Sequence, residues 1–231
     1  MSSHLPALRT HRLPGPWRSV RVDSTSTHLT LHTVQHRAVW DELARHGIHR
    51  PSRWTATHDF AESYDWMHRQ MATALSTTSD GMVWLWAQHP LRGFGLLRPG
   101  PDEVLLTCRV PRENVLVSDF GDWHCVLNRS PFVRSLPGED EEAYGRRLDL
   151  VLDHLHERLD TAGAGKDSFA GWPDSVRREV ESTWAGIFDR EQWTARSVLQ
   201  ATAHELRAEH IVDALQVSGS WSRSTRALEP R

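Results

Sequence analysis

Apolar and polar positions along this chain follow two periods, and each change of period marks an element. Leu29-Thr30-Leu31-His32-Thr33-Val34-Gln35 alternates every second residue and is rich in β-branched side chains, which predicts a strand. Val39, Trp40, Leu43 and Ala44 then recur at helical spacing, with Gly47 as the stop. Over residues 59–75, Phe60, Tyr64, Met67, Met71 and Leu75 form the stripe of a second amphipathic helix. Residues 82–87 read as a short strand with Trp84 and Trp86 on one face and Val83 and Leu85 on the other. Two more strands are expected at 104–110 and 115–117, around the turn-like Pro111-Arg112-Glu113-Asn114.

Beyond that point the pattern becomes helical. Ser118 or Asp119 is a suitable N-cap for a helix burying Trp123, Val126 and Leu127. Residues 139–161 open on acids suited to a helix N-terminus and carry Leu148, Val151, Leu152, Leu155 and Leu159 at helical spacing. One more helix is expected over 173–186 with a proline at its start, then strands at 197–205 and 211–217. The pattern predicts an α+β protein whose mixed β-sheet is flanked by helices. Residues 1–27, with three prolines and little periodicity, read as a disordered arm, 28–217 as a single α+β domain, and 218–231 as a flexible polar tail.

Composition narrows the classes. A chain of 231 residues, 39% hydrophobic, is long enough for one domain with a full core. Lys166 is the only lysine, and with no uniform basic face the chain does not read as a bulk nucleic-acid binder. Two cysteines, Cys108 and Cys125, are too few for a secreted disulfide framework, and no stretch nears the ~20 apolar residues of a membrane span. These features predict a soluble, cytoplasmic protein with no membrane partner; a protein partner is unspecified.

Several residues invite chemistry that packing explains as well. His28, His32 and His36 share one strand face, but four strand residues span ~13 Å, too far for one ion with ~2 Å nitrogen bonds. His154 and His156 diverge by about 200° on a helix, so no metal is expected. Asp119-Phe120-Gly121 spells a kinase magnesium motif without a glycine-rich loop or a paired lysine, and is a coincidence of letters. Cys125 beside His124 points about 100° away on a helix and reads as a buried structural thiol. Eleven tryptophans leave two readings: core packing, or a flat pocket in which Trp84, Trp86 and Trp123 stack a base or nicotinamide ring. His124 and Asn128, four apart on a helix, are expected to form a polar pair near that pocket.

Tyr64-Asp65-Trp66-Met67 with Gln70-Met71, Trp84-Leu85-Trp86, Ser118-Asp119-Phe120 with Trp123-His124 and Leu127-Asn128, and a closing block of Trp184-Ala185-Gly186-Ile187-Phe188-Asp189 and Leu199-Gln200-Ala201 with Glu205-Leu206 occur in this order. In them the chain resembles the bacterial domain-of-unknown-function 3841 family, departing from its pattern at His32 and at Ala203-His204. At the level of architecture alone it is similar to ADP-ribosyltransferases. That resemblance implies NAD or another nucleotide as ligand and substrate, with transfer or hydrolysis at a glycosidic carbon. It implies that His32 or Thr33 holds the nicotinamide ribose and that Gln200, aided by Glu205, polarises a ribose hydroxyl. The candidate catalytic set is therefore Gln200, Glu205 and His124, and the candidate nucleotide-binding set is His32, Thr33, Tyr64, Trp84, Trp86, Asp119 and Asn128. The alternatives are a non-catalytic module that binds a small molecule or protein, and an enzyme of bacterial specialised metabolism with an unrelated substrate. The neutral Gln200 favours the module; the grouping of Asp119, His124 and Asn128 favours an enzyme.

Overall fold

The computed structural model describes residues 5–11, 22, 25–51, 60–88, 99–166, 168–194 and 197–217. In chain order these form β1 (Arg9–His11), β2 (His28–His36), α1 (Arg37–His46), β3 (Ile48–His49), α2 (Ala61–Ala74), β4 (Val83–Gln88), β5 (Glu103–Pro111), β6 (Leu116–Asp119), α3 (Phe120–Leu127), α4 (Glu141–Thr161), α5 (Asp174–Thr183), β7 (Leu199–Ala203), β8 (Leu206–Arg207) and β9 (Ile211–Val217). Seven strands make one mixed sheet in the order β1-β9-β5-β2-β4-β7-β6, and β3 pairs with β8 in a separate ribbon. The fold is α+β with five α-helices, and none of the described helices is long and apolar enough to cross a membrane.

The sheet is built outward from β2, which pairs antiparallel with β5 from His28↔Pro111 to His36↔Glu103 without interruption. Its alternation assigns the two faces. Leu29 and Leu31 join Leu85, Leu106, Cys108, Ala201 and Ala214 of neighbouring strands in one buried cluster, closed by Trp40 and Leu43 of α1. The opposite face is covered by helices whose Trp66, Met67, Trp123, Val126, Leu159 and Trp184 form a second buried cluster, with Trp84 and Leu116 packed against it from the sheet. Cys108, fully buried in the first cluster, has its thiol pKa pushed up to about 12 by desolvation.

Local signals set the helix ends. The His36 ring accepts from the Ala38 amide at the start of α1, and Gly47 closes that helix at φ 73°, a left-handed conformation that glycine adopts without a Cβ penalty. Asp140 caps α4 through the Ala143 amide at 2.8 Å.

Two expectations are corrected. A strand, β1, lies inside the segment read as an arm: it runs parallel to β9, and Arg9 forms a two-point ion pair with Asp213. Three paired residues are too short for periodicity to reveal. The arm residues 1–4, 12–21, 23 and 24, the polar tail 218–231 and the expected helix start at Asp59 lie outside the described residues. The helix expected over 173–186 ends at Thr183 and tightens into a 3-10 turn, Trp184–Phe188. At three residues per turn Trp184 and Ile187 share one side, and both are fully buried. The turn also brings Gly186 against Phe132, where a Cβ would stand 2.2 Å from the ring.

That contact is testable. Gly186→Ala should cost roughly 1–3 kcal/mol through overpacking, measured as a lowered midpoint in urea unfolding with an unchanged slope. Wild-type stability in this variant would show that Phe132 has room to move.

Candidate functional site

Strand registers place one polar row across the helix-covered face of the sheet. His32 of β2 pairs with Thr107 of β5 on one side and with Trp86 of β4 on the other. Trp86 pairs with Gln200 of β7, and Gln200 with Ser118 of β6. With strands ~4.8 Å apart, His32 and Gln200 stand ~10 Å from one another on either side of Trp86. The His32 Nδ1 lies 3.2 Å from the Thr107 hydroxyl, and the Gln200 amide nitrogen 3.5 Å from the Ser118 hydroxyl. Gln200 and Ser118 are buried, while His32, Thr107 and Trp86 are half-buried. The pairing slips between Trp86 and Gln88 and again between Thr107 and Cys108. Both irregularities adjoin the row, and bulges re-aim side chains where a sheet meets a site.

Rings flank the row. Phe120, the first residue of α3, packs edge-on against Trp86 at 5.2 Å and against His124 at 4.9 Å. Burial lowers the His32 pKa, so its imidazole is neutral at pH 7 and offers one donor and one acceptor. At the start of α3, Asp122 is pushed up to about 6 by desolvation and by the neighbouring Asp119 charge.

The other expected residues lie elsewhere or are already engaged. Thr33 faces the opposite side of the sheet, where its hydroxyl donates to the Trp84 carbonyl at 2.8 Å and accepts from Gln35 at 2.7 Å. Neighbouring strand residues point to opposite faces, so Thr33 cannot share the task of His32. Trp84 belongs to a ring cluster with Tyr64 and Trp123, at centroid distances of 5.9 and 5.3 Å, and serves the core; its indole N–H is buried without a partner. Tyr64 sits against Trp123 at 5.8 Å in the same cluster. Asp119 is the N-cap of α3, its carboxylate accepting from the Gly121 and Asp122 amides at 2.7 and 3.2 Å.

The expected His124–Asn128 pair does not form. His124 is exposed and its Nδ1–H donates to the Phe120 carbonyl at 2.9 Å, while Asn128 is exposed at the helix C-cap, linked to His124 through the backbone alone. Glu205 lies past the end of β7, its side chain buried between Arg50 at 2.9 Å and Arg207 at 2.5 Å. Both of its oxygens are engaged by these two guanidiniums. Thr107, Ser118 and Phe120 join the site without having been singled out for it, because cross-strand register carries no local signature. Among the described residues no group of three or more histidines, cysteines or acids is placed to hold a metal.

A family model described as domain of unknown function (DUF3841) matches residues 30–212, which spans every strand of the row. No curated protein and no solved structure matches the chain.

Trp123 and His124 separate packing from chemistry. Trp123→Ala should destabilise by roughly 3–5 kcal/mol, since the ring is buried. His124→Ala should change stability by less than about 0.5 kcal/mol; equal losses of melting temperature would mean that His124 is part of the fold. His32 makes a pH prediction. Its pKa is lower folded than unfolded, so its contribution to stability is complete above the unfolded value of 6.5 and is lost as the pH falls below it. His204 and His210 shift the same way, whereas raised Asp122 loses stability as the pH rises through about 6. His32→Gln should therefore lose less melting temperature than wild type between pH 7 and pH 5, and parallel curves would refute the assignment.

Proposed function

We propose that this chain, which belongs to the DUF3841 family, binds a nucleotide of the nicotinamide or adenine type across His32, Trp86 and Gln200. The observation carrying this reading is the register that sets those three side chains on one face and one row. A planar ring laid on Trp86 lies within reach of a neutral imidazole on one side and a primary amide on the other, a pairing suited to the donor and acceptor edge of a base or carboxamide. The disposition is ADP-ribosyltransferase-like: the early-strand histidine and the late-strand glutamine stand two strands apart with the stacking ring between them. NAD is accordingly the first ligand to test, and the cytoplasm the compartment in which to expect it.

Binding without turnover is the stronger form of the proposal. Transfer or hydrolysis at a glycosidic carbon develops positive charge, which a carboxylate stabilises and a neutral amide does not. Gln200 supplies the amide. The acids nearest in sequence, Asp119 and Glu205, are committed to a helix cap and to two arginines.

Titration with NAD, ATP and free nucleosides, followed by tryptophan emission and melting temperature, tests the reading. A ligand at 100 times its Kd should stabilise the protein by ~2.7 kcal/mol. Trp86→Leu should remain folded and bind about 5- to 150-fold more weakly, the worth of ~1–3 kcal/mol of base stacking. Absence of any nucleotide-dependent shift at millimolar concentration would reject the site. Release of nicotinamide from NAD that disappears in Gln200→Ala would replace binding with glycohydrolase or transferase chemistry.

A further inference from the structure

Two 3-10 turns, Arg112–Asn114 between β5 and β6 and Arg190–Gln192 before β7, border one open cavity of about 610 Å³ at the edge strand β6. Leu75, Val115, Val117 and Phe188 supply its apolar wall. Arg112 and Trp193 supply something less usual: the Arg112 Nη1 and the Trp193 Nε1 are both buried and neither has a hydrogen-bond partner. Two buried, unsatisfied donors on residues that line one cavity is a costly arrangement for a folded chain to keep.

The charges compound this cost. Arg50, Arg129, Arg147 and Arg158 each hold a carboxylate, whereas neither Arg112 nor Arg190 forms an ion pair among the described residues. Glu113, beside Arg112 in sequence and also on the cavity lining, is exposed and pairs with neither. Burial and the like charge of Arg190 both depress the Arg112 pKa, so the two guanidiniums repel one another across a partly desolvated space. An anion entering that space removes the repulsion, and a turn of the Arg112 and Trp193 side chains toward it gives both orphan donors an acceptor.

We propose that this cavity binds a phosphomonoester with an apolar body, its head group held by Arg112, Arg190 and the Trp193 indole. A phosphomonoester is close to dianionic at neutral pH, which matches two guanidiniums, and its three terminal oxygens serve three donors. A carboxylate brings a single charge. The apolar wall accepts the organic part of the ligand. This site is separate from the polar row: none of His32, Trp86, Gln200 and Ser118 lines the cavity, Trp86 itself lies two strands, ~10 Å, inward from β6, and the site stands whether or not a nucleotide binds at the row.

Phenyl phosphate, inorganic phosphate and benzoate, each compared with sodium chloride at equal ionic strength, distinguish the head groups. Phenyl phosphate should raise the melting temperature and quench tryptophan emission at lower concentration than inorganic phosphate, and benzoate should do neither. Arg112→Gln and Arg190→Gln should each weaken phenyl phosphate binding about tenfold, in line with a charged hydrogen bond. Without ligand, Arg190→Gln should be at least as stable as wild type, because it relieves like-charge repulsion, an outcome that a structural role for the arginine would not give. Trp193→Phe should lose the emission change, and Trp86→Leu should bind phenyl phosphate as wild type does. Should Arg112→Gln fail to fold, exposed Arg190 decides alone. Benzoate binding as well as phenyl phosphate, no shift beyond that of salt, or undiminished binding by Arg190→Gln would each overturn the proposal.

Discussion

Everything about the candidate site depends on the uninterrupted ladder between β2 and β5. Nine consecutive residue pairs fix which side of β2 faces which core, and a slip of one residue would carry Leu29 and Leu31 to the helix-covered side and His32 to the other. The cost of exposing that apolar set makes the register strongly specified. Once β2 is fixed, β4 follows through His32↔Trp86 and β7 through Trp86↔Gln200, so the row is a by-product of core packing on the opposite face. The side chains of the row are thereby positioned by residues on the other face of the sheet.

The chemistry of the row follows from what that packing leaves uncharged. A neutral histidine, an amide, two hydroxyls and an indole provide directional hydrogen bonding and a flat surface, but no fixed charge. Charge is found at the margins, where three acids are already engaged, Asp119 with backbone amides, Glu205 with two arginines and Asp213 with Arg9, while burial and the Asp119 charge favour the neutral form of Asp122. Such a surface discriminates by shape and hydrogen-bond pattern.

How much was legible in the sequence varies with the range of the signal. Gly47 closing α1 and Asp119 opening α3 are local events, set by a left-handed turn and a side chain reaching two residues along, and both are readable from a few letters. Strand β2, with strict alternation over many residues, is equally clear. His124 and Asn128 do share a helix face as their spacing requires, yet spacing says nothing about whether that face meets solvent, and here it does. Glu205 looked available because its partner Arg50 is 155 residues away. Thr107 and Ser118 were invisible as site residues for the same reason: membership of the row is decided by pairing between strands that are remote in the chain.

Cys108 gives the sheet an internal clock. Its sulfur lies at the heart of β5, fully buried and with its pKa raised to about 12, and only thiolate reacts at a useful rate. Cys125, half-buried on α3, is the more accessible of the two thiols. Exchange with a disulfide reagent therefore separates into two events: modification of Cys125 follows local opening around α3, while modification of Cys108 waits for the central strands to part. Its rate reads the frequency of global unfolding under native conditions, with no residue introduced to report it.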